Sequence, residues 1–166
     1  MKWSAAKDSE WTKSILSFFS DDQTKRENLF TGVELVEVYE YMGIDYVWRI
    51  SSSSGNFIEL AVEHENTGSV RPFLEQEVRH LVDLKADNKI AITYPHIGDE
   101  ETLMRGVYDL VKSDMRRRDE KYLVLLGFAT KTGEPPTPAI LFKGHFIDGS
   151  GNETLVRQKV IKQAVT

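Results

Sequence analysis

The stretch IDYVWRISSSSGNFIELAVEHE, residues 44–65, holds two alternating runs joined by a turn of serines and glycine. Apolar and polar residues trade places at the period of a strand, and the Ser/Gly segment has the residue types of a turn, so the stretch predicts a β-hairpin. If it closes symmetrically about Ser54, Ile50 lies opposite Ile58, Trp48 opposite Leu60 and Tyr46 opposite Val62. That side is continuously apolar and is expected to lie on the core. On the other side Arg49 faces Glu59, Val47 faces Ala61, and Asp45 faces Glu63.

Working outward, Val33 to Tyr41 alternates apolar residues with Glu34, Glu37 and Glu40, which predicts another strand. Ahead of it, Trp11, Ile15, Leu16 and Phe19 recur at helical spacing. Beyond the hairpin, a helix is expected from Pro72 to about Lys85, with Leu74, Val78, Leu81 and Val82 on its apolar face. A short strand follows at Asn88–Tyr94. Leu103, Val107, Leu110, Val111 and Met115 then mark a second helix, with Asp99, Glu100 and Glu101 at its start and Arg116, Arg117 and Arg118 at its end, charges that complement the helix dipole. Tyr122–Phe128 reads as a buried strand. A loop at Gly133–Pro138 leads to Ala139–Phe146, expected to be an outer strand, then a turn at Asp148–Asn152 and a polar segment of no assigned type. The order α, β, β, β, α, β, α, β, β implies a mixed sheet with helices on its faces.

The 166 residues are 40% hydrophobic and 28% charged, with no linker, repeat or long low-complexity block, so one domain spanning 1–166 is expected. With no cysteine, disulfides and thiolate metal sites are excluded, and a cytoplasmic setting is the simplest expectation. Lys7, Asp8, Glu10 and Lys13 interrupt the first apolar residues, so the opening stretch reads as neither a signal peptide nor a membrane span. A net charge of −5 does not favour a broad electrostatic grip on nucleic acid. P-loop, GxGxxG, GxSxG, HExxH and zinc-ligand patterns are absent, which removes support for nucleotide hydrolysis, dinucleotide chemistry and serine hydrolysis.

The chemistry is expected at the open end of the hairpin. Like charges directly across a ladder destabilise it, and Glu65, two residues beyond Glu63 on the same face, adds a third carboxylate to Asp45 and Glu63. A hard divalent cation, Mg²⁺ or Mn²⁺, would compensate. A solvated strand end or a protonated carboxylate is the bland alternative. His64 alternates to the opposite face. Asn66 is expected to turn the chain, and Gln76 and Arg79 to lie on the polar side of the helix. Glu27 is a candidate supporting ligand.

In this element order and these acids, the chain resembles the PD-(D/E)XK nuclease superfamily, the restriction-endonuclease-like fold. Its α-β-β-β-α-β core matches roughly Trp11 to Tyr94 here, extended by a further helix and strands. The family places an acid near the start of the second strand and a (D/E)-x-K motif on the third. Asp45 takes the first position and Glu63-His64-Glu65 the second, with Glu65 where lysine is usual. The resemblance implies a Mg²⁺- or Mn²⁺-dependent endonuclease hydrolysing DNA by metal-activated water. Asp45 and Glu63 would be metal ligands and Glu65 a further ligand or the base. Lys85 would be either a migrated positive charge or a solvated helix end, and the arginines 116–118 helix-end charges or backbone contacts. A homodimer follows by analogy with enzymes that cut two strands. The missing lysine and the acidic balance leave a second expectation, a catalytically silent binding or assembly module on the same fold.

Overall fold

A computed structural model of the chain describes residues 34–53, 55–114, 119–132 and 136–162. The expected first helix, Glu27, Ser54 and the arginines 116–118 lie outside these residues. Strands β1 (Glu34–Tyr41), β2 (Ile44–Ser52) and β3 (Gly55–Glu65) come first. A helical stretch over 70–83, here α1, is α-helical at Val70–Pro72, π-helical at Phe73–Val78 and α-helical again at Arg79–Asp83. Then come β4 (Asn88–Thr93), α2 (Glu100–Ser113), β5 (Lys121–Thr132), β6 (Thr137–Asp148) and β7 (Glu153–Lys162).

The fold is α/β, built on one mixed sheet of seven strands in sequence order. β1–β2–β3 pair antiparallel, β3–β4–β5 parallel, and β5–β6–β7 antiparallel. Tight turns suffice for the antiparallel steps, whereas each parallel step needs a crossover, and these are α1 and α2. A sheet that advances β3–β4–β5 puts successive right-handed crossovers on one face. Accordingly, Phe73, Val78 and Leu81 of α1 share a core with Leu103, Val107 and Val111 of α2, against Val47, Ala61, Ala91, Val124 and Leu126 of the sheet. Burying each of the larger side chains contributes roughly 1.5–3 kcal/mol. The other sheet face carries a smaller cluster of Tyr46, Leu60, Val62 and Ile92.

Four expectations need correction. The symmetric register holds for Tyr46–Val62, Val47–Ala61 and Trp48–Leu60, but an irregularity between Trp48 and Arg49 shifts the rest by one residue. Arg49 therefore pairs with Ile58 rather than Glu59, and Ile50 with Phe57 rather than Ile58. Glu59, the residue in excess, instead accepts the Asn88 side-chain N–H at 2.9 Å, and the Arg49 guanidinium stands 5.4 Å from the Tyr41 ring centre. Second, the larger core lies not under Tyr46 and Leu60 but on the side of Val47 and Ala61, because both crossover helices cover that face.

The third correction concerns the C-terminal segment. The polar residues after Asn152 form β7, so β6 is an inner strand rather than an outer one. An exposed edge strand buries little on either face and leaves no strong apolar alternation. Fourth, α1 ends at Asp83 and Lys85 is exposed on the segment beyond it.

Polar contacts tie α2 to the last two strands. Lys143 of β6 bonds Glu100 at the start of α2. Glu153 accepts from the Tyr108 hydroxyl at 2.7 Å and pairs with His145 Nδ1 at 2.6 Å. With Ile97 and Val156 these residues line a cleft of about 620 Å³. Deeper in the sheet, Lys89 is buried against Glu120 and lies 3.1 Å from the Tyr122 hydroxyl. Among the described residues no helix is long and apolar enough to cross a membrane.

Candidate metal centre

The ladder between β2 and β3 reaches Tyr46–Val62 and then gives way to side chains. The Asp45 N–H donates to Glu63 Oε2 at 3.1 Å, and the His64 N–H donates to Asp45 Oδ2 at 2.8 Å. Each carboxylate thus takes a backbone donor of the opposing strand. The expected facing of Asp45 and Glu63 is present, and each acid is held in a fixed orientation by the other strand.

Because α1 covers this face, Glu63 is fully buried, with a relative exposure of 0%. A buried carboxylate without a cation costs several kcal/mol unless it is protonated or paired. Burial first, and then the charges of Asp45 and Glu77, push the Glu63 carboxyl up to about 9. Asp45 and Glu77 are also raised, both chiefly by burial, with the His64 N–H opposing the rise at Asp45.

Glu77 and His80 come from α1, three residues apart, so they fall on one side of the helix one above the other. The His80 Nδ1 lies 3.3 Å from Glu63 Oε1, and ligand atoms of Glu63, Glu77 and His80 all lie within 4.8 Å of one another. Ligand atoms around one cation with bonds of about 2.1 Å lie at most roughly 4.2 Å apart, so a single divalent ion would draw the three atoms slightly together. The set, two carboxylates and an imidazole, also suits one chemically, and Asp45 lies beside it, bonded through its N–H to the innermost acid. The π-helical turns that carry Glu77 are a form that recurs at functional sites.

The sequence reading missed Glu77 and His80. Their Glu-x-x-His spacing was the available signal, a helical arrangement that ligates metals in carboxylate-bridged bundles. Nothing in the sequence alone shows that this helix face turns toward β3.

Glu65 sits at the end of the carboxylate face, close enough for its charge to raise Asp45 and Glu77, but its Oε1 accepts the Thr67 N–H at 2.6 Å. It is at the rim of the cluster rather than in it. His64 lies on the opposite face, where Nε2 is 3.1 Å from the Tyr94 hydroxyl and burial lowers the imidazole to about 4, leaving it neutral. Gln76 and Arg79 are exposed.

No family model matches the chain, and no curated protein does. A solved structure titled as the central domain of yeast acetyl-CoA carboxylase is similar over 81% of this chain, at 10% identity and a TM-score of 0.39. The match spans 23% of that chain, and a likeness so slight carries no argument about fold family or activity.

Proposed function

We propose that the chain is a restriction-endonuclease-like, divalent-metal-dependent nuclease hydrolysing DNA phosphodiester bonds. The observation that carries this reading is the locked Asp45–Glu63 pair, with Glu63 buried beneath a helix that brings Glu77 and His80 to the same point. The element order supports it, since three antiparallel strands, a crossover helix and a further strand follow one another in the order that the resemblance implies.

Asp45 and Glu63 would hold the cation from the two strands, and Glu77 and His80 from α1. A bound Mg²⁺ or Mn²⁺ ion supplies an acidified water and neutralises charge that builds up on the phosphodiester. Glu65, oriented by the Thr67 N–H at the rim, would be the base for the attacking water. Glu63 must ionise to bind the cation, so metal uptake releases a proton from the cluster.

Plasmid nicking with Mg²⁺ or Mn²⁺, beside Asp45→Ala and Glu63→Ala, tests the reading. Cleavage that needs the metal and drops at least about a hundredfold in both variants is expected. Cleavage that survives chelation, or is unchanged in the variants, overturns it.

One observation favours a second reading. Glu63 and Glu77 hydrogen-bond each other, so one shared proton satisfies the cluster without a cation. A silent binding or assembly module would show no metal-dependent rise in melting temperature and no cleavage of any nucleic acid.

A further inference from the structure

We propose, resting on the metal reading above, that His80 is a direct ligand and makes the centre select Mn²⁺ over Mg²⁺. Asp45, Glu63 and Glu65 alone are an all-oxygen set. Such a set meets the preference of Mg²⁺ for one or two carboxylates and a shell of retained waters. The imidazole of His80 changes the donor chemistry. Nitrogen ligands favour first-row transition ions, whereas Mg²⁺ gains little from exchanging a water for an imidazole.

Geometry places that imidazole in the cluster. Its Nδ1 is the atom that faces Glu63 Oε1 at 3.3 Å, and Glu77 on the same helix completes the group within 4.8 Å. The two partners differ in exposure. The Glu63 side chain is 1% exposed and forms the floor, while that of His80 is 48% exposed and reaches in from solvent. The turn between β1 and β2 flanks the ring, since a Cβ built on Gly43 would lie 3.9 Å from His80 Cε1. His80 is thus the outer wall of the centre, and removing it leaves the carboxylate floor intact.

The test is equilibrium binding of Mn²⁺ and of Mg²⁺ to the full chain, its His80→Gln variant and its Glu63→Gln variant, with pulsed electron paramagnetic resonance of the Mn²⁺-loaded wild type. The expected results are Mn²⁺ binding at least about tenfold tighter than Mg²⁺ and nitrogen modulation in the resonance signal. In His80→Gln the preference collapses while Mg²⁺ affinity is kept. Equal affinities in the wild type, lost together in Glu63→Gln, overturn the inference and leave the metal reading standing. Absence of nitrogen modulation in the loaded wild type overturns it without recourse to any variant. A wild type that binds neither ion overturns the inference and the metal reading together.

Discussion

Asp45 and Glu63 hold each other across the end of the β2–β3 ladder: the Asp45 N–H donates to Glu63 Oε2 at 3.1 Å, while Asp45 Oδ2 accepts the N–H of His64, the residue after Glu63, at 2.8 Å. Two acids that repel in a bare ladder are locked there by backbone donors and covered by a helix. The arrangement stores electrostatic cost in the folded chain, and most of what can be measured follows from that cost.

Stability should therefore fall as pH rises. Glu63 moves from an ordinary value of 4.5 to about 9, so between these values the folded chain holds a proton that the unfolded chain has released. The contribution is fully present below 4.5 and lost as pH climbs through about 9. His64 acts in the opposite sense, because an imidazole lowered from 6.5 to about 4 destabilises the fold as pH falls through that window. Among the described residues, the raised carboxylates slope the curve between about pH 6.5 and 9. Thermal melts without divalent ions should show a melting temperature that declines toward pH 9. Glu63→Gln should flatten the decline, and a slope unchanged in that variant would contradict the assignment.

Divalent ions should reverse the effect. Mn²⁺ at a hundred times its dissociation constant is expected to stabilise the wild type by about 2.7 kcal/mol, and Glu63→Ala should abolish the shift. Differential scanning calorimetry with and without the ion makes the comparison. A shift that persists in Glu63→Ala would place the ion elsewhere.

The exit from β3 is set by one residue. Gly68 has φ 67, and a Cβ there would lie 2.2 Å from the Tyr94 carbonyl oxygen. Gly68→Ala should cost ~2 kcal/mol or more, since the contact is with the Tyr94–Pro95 backbone just after β4 rather than with a side chain that can move aside. Urea denaturation checks it, and a loss well under ~1 kcal/mol would show that this backbone can yield.

A last prediction concerns Lys89, whose ammonium is buried against Glu120 and lies 3.1 Å from the Tyr122 hydroxyl. Lys89→Ala takes the cation from a buried carboxylate that keeps only neutral donors, the Tyr122 hydroxyl at 3.1 Å and the Ala86 N–H at 3.4 Å among them, and should cost about 3–5 kcal/mol, whereas Lys89→Met with Glu120→Leu should recover most of it. Equal losses in the single and double variants, read from the same denaturation curves, would show that packing rather than the ion pair carries the cost.

Much of this was legible in residues 44–65. Alternation there decides strand against helix, and symmetry about Ser54 suffices to bring Asp45 opposite Glu63. The register still slipped near the turn, because Phe57, Ile58 and Leu60 offer apolar partners on either side of the irregularity, and pairing energies alone do not choose between them. The buried side differs from the expected one because Val47 and Ala61 share their face with Asp45 and Glu63, so the sequence marks the other face as the apolar one, whereas the crossover connections determine which face the helices cover. Glu77 and His80 escaped notice because helical spacing shows which residues share a face but not what that face meets. The final strand was missed since its residues from Glu153 to Val160 are exposed and carry no burial pattern to read.

The most direct test of the central claim is a crystal of the wild-type chain soaked in Mn²⁺ and measured at the manganese absorption edge. The account predicts an anomalous peak within bonding distance of Asp45, Glu63, Glu77 and His80. An anomalous map with no peak there at saturating Mn²⁺, or with its peak among other residues, would contradict it.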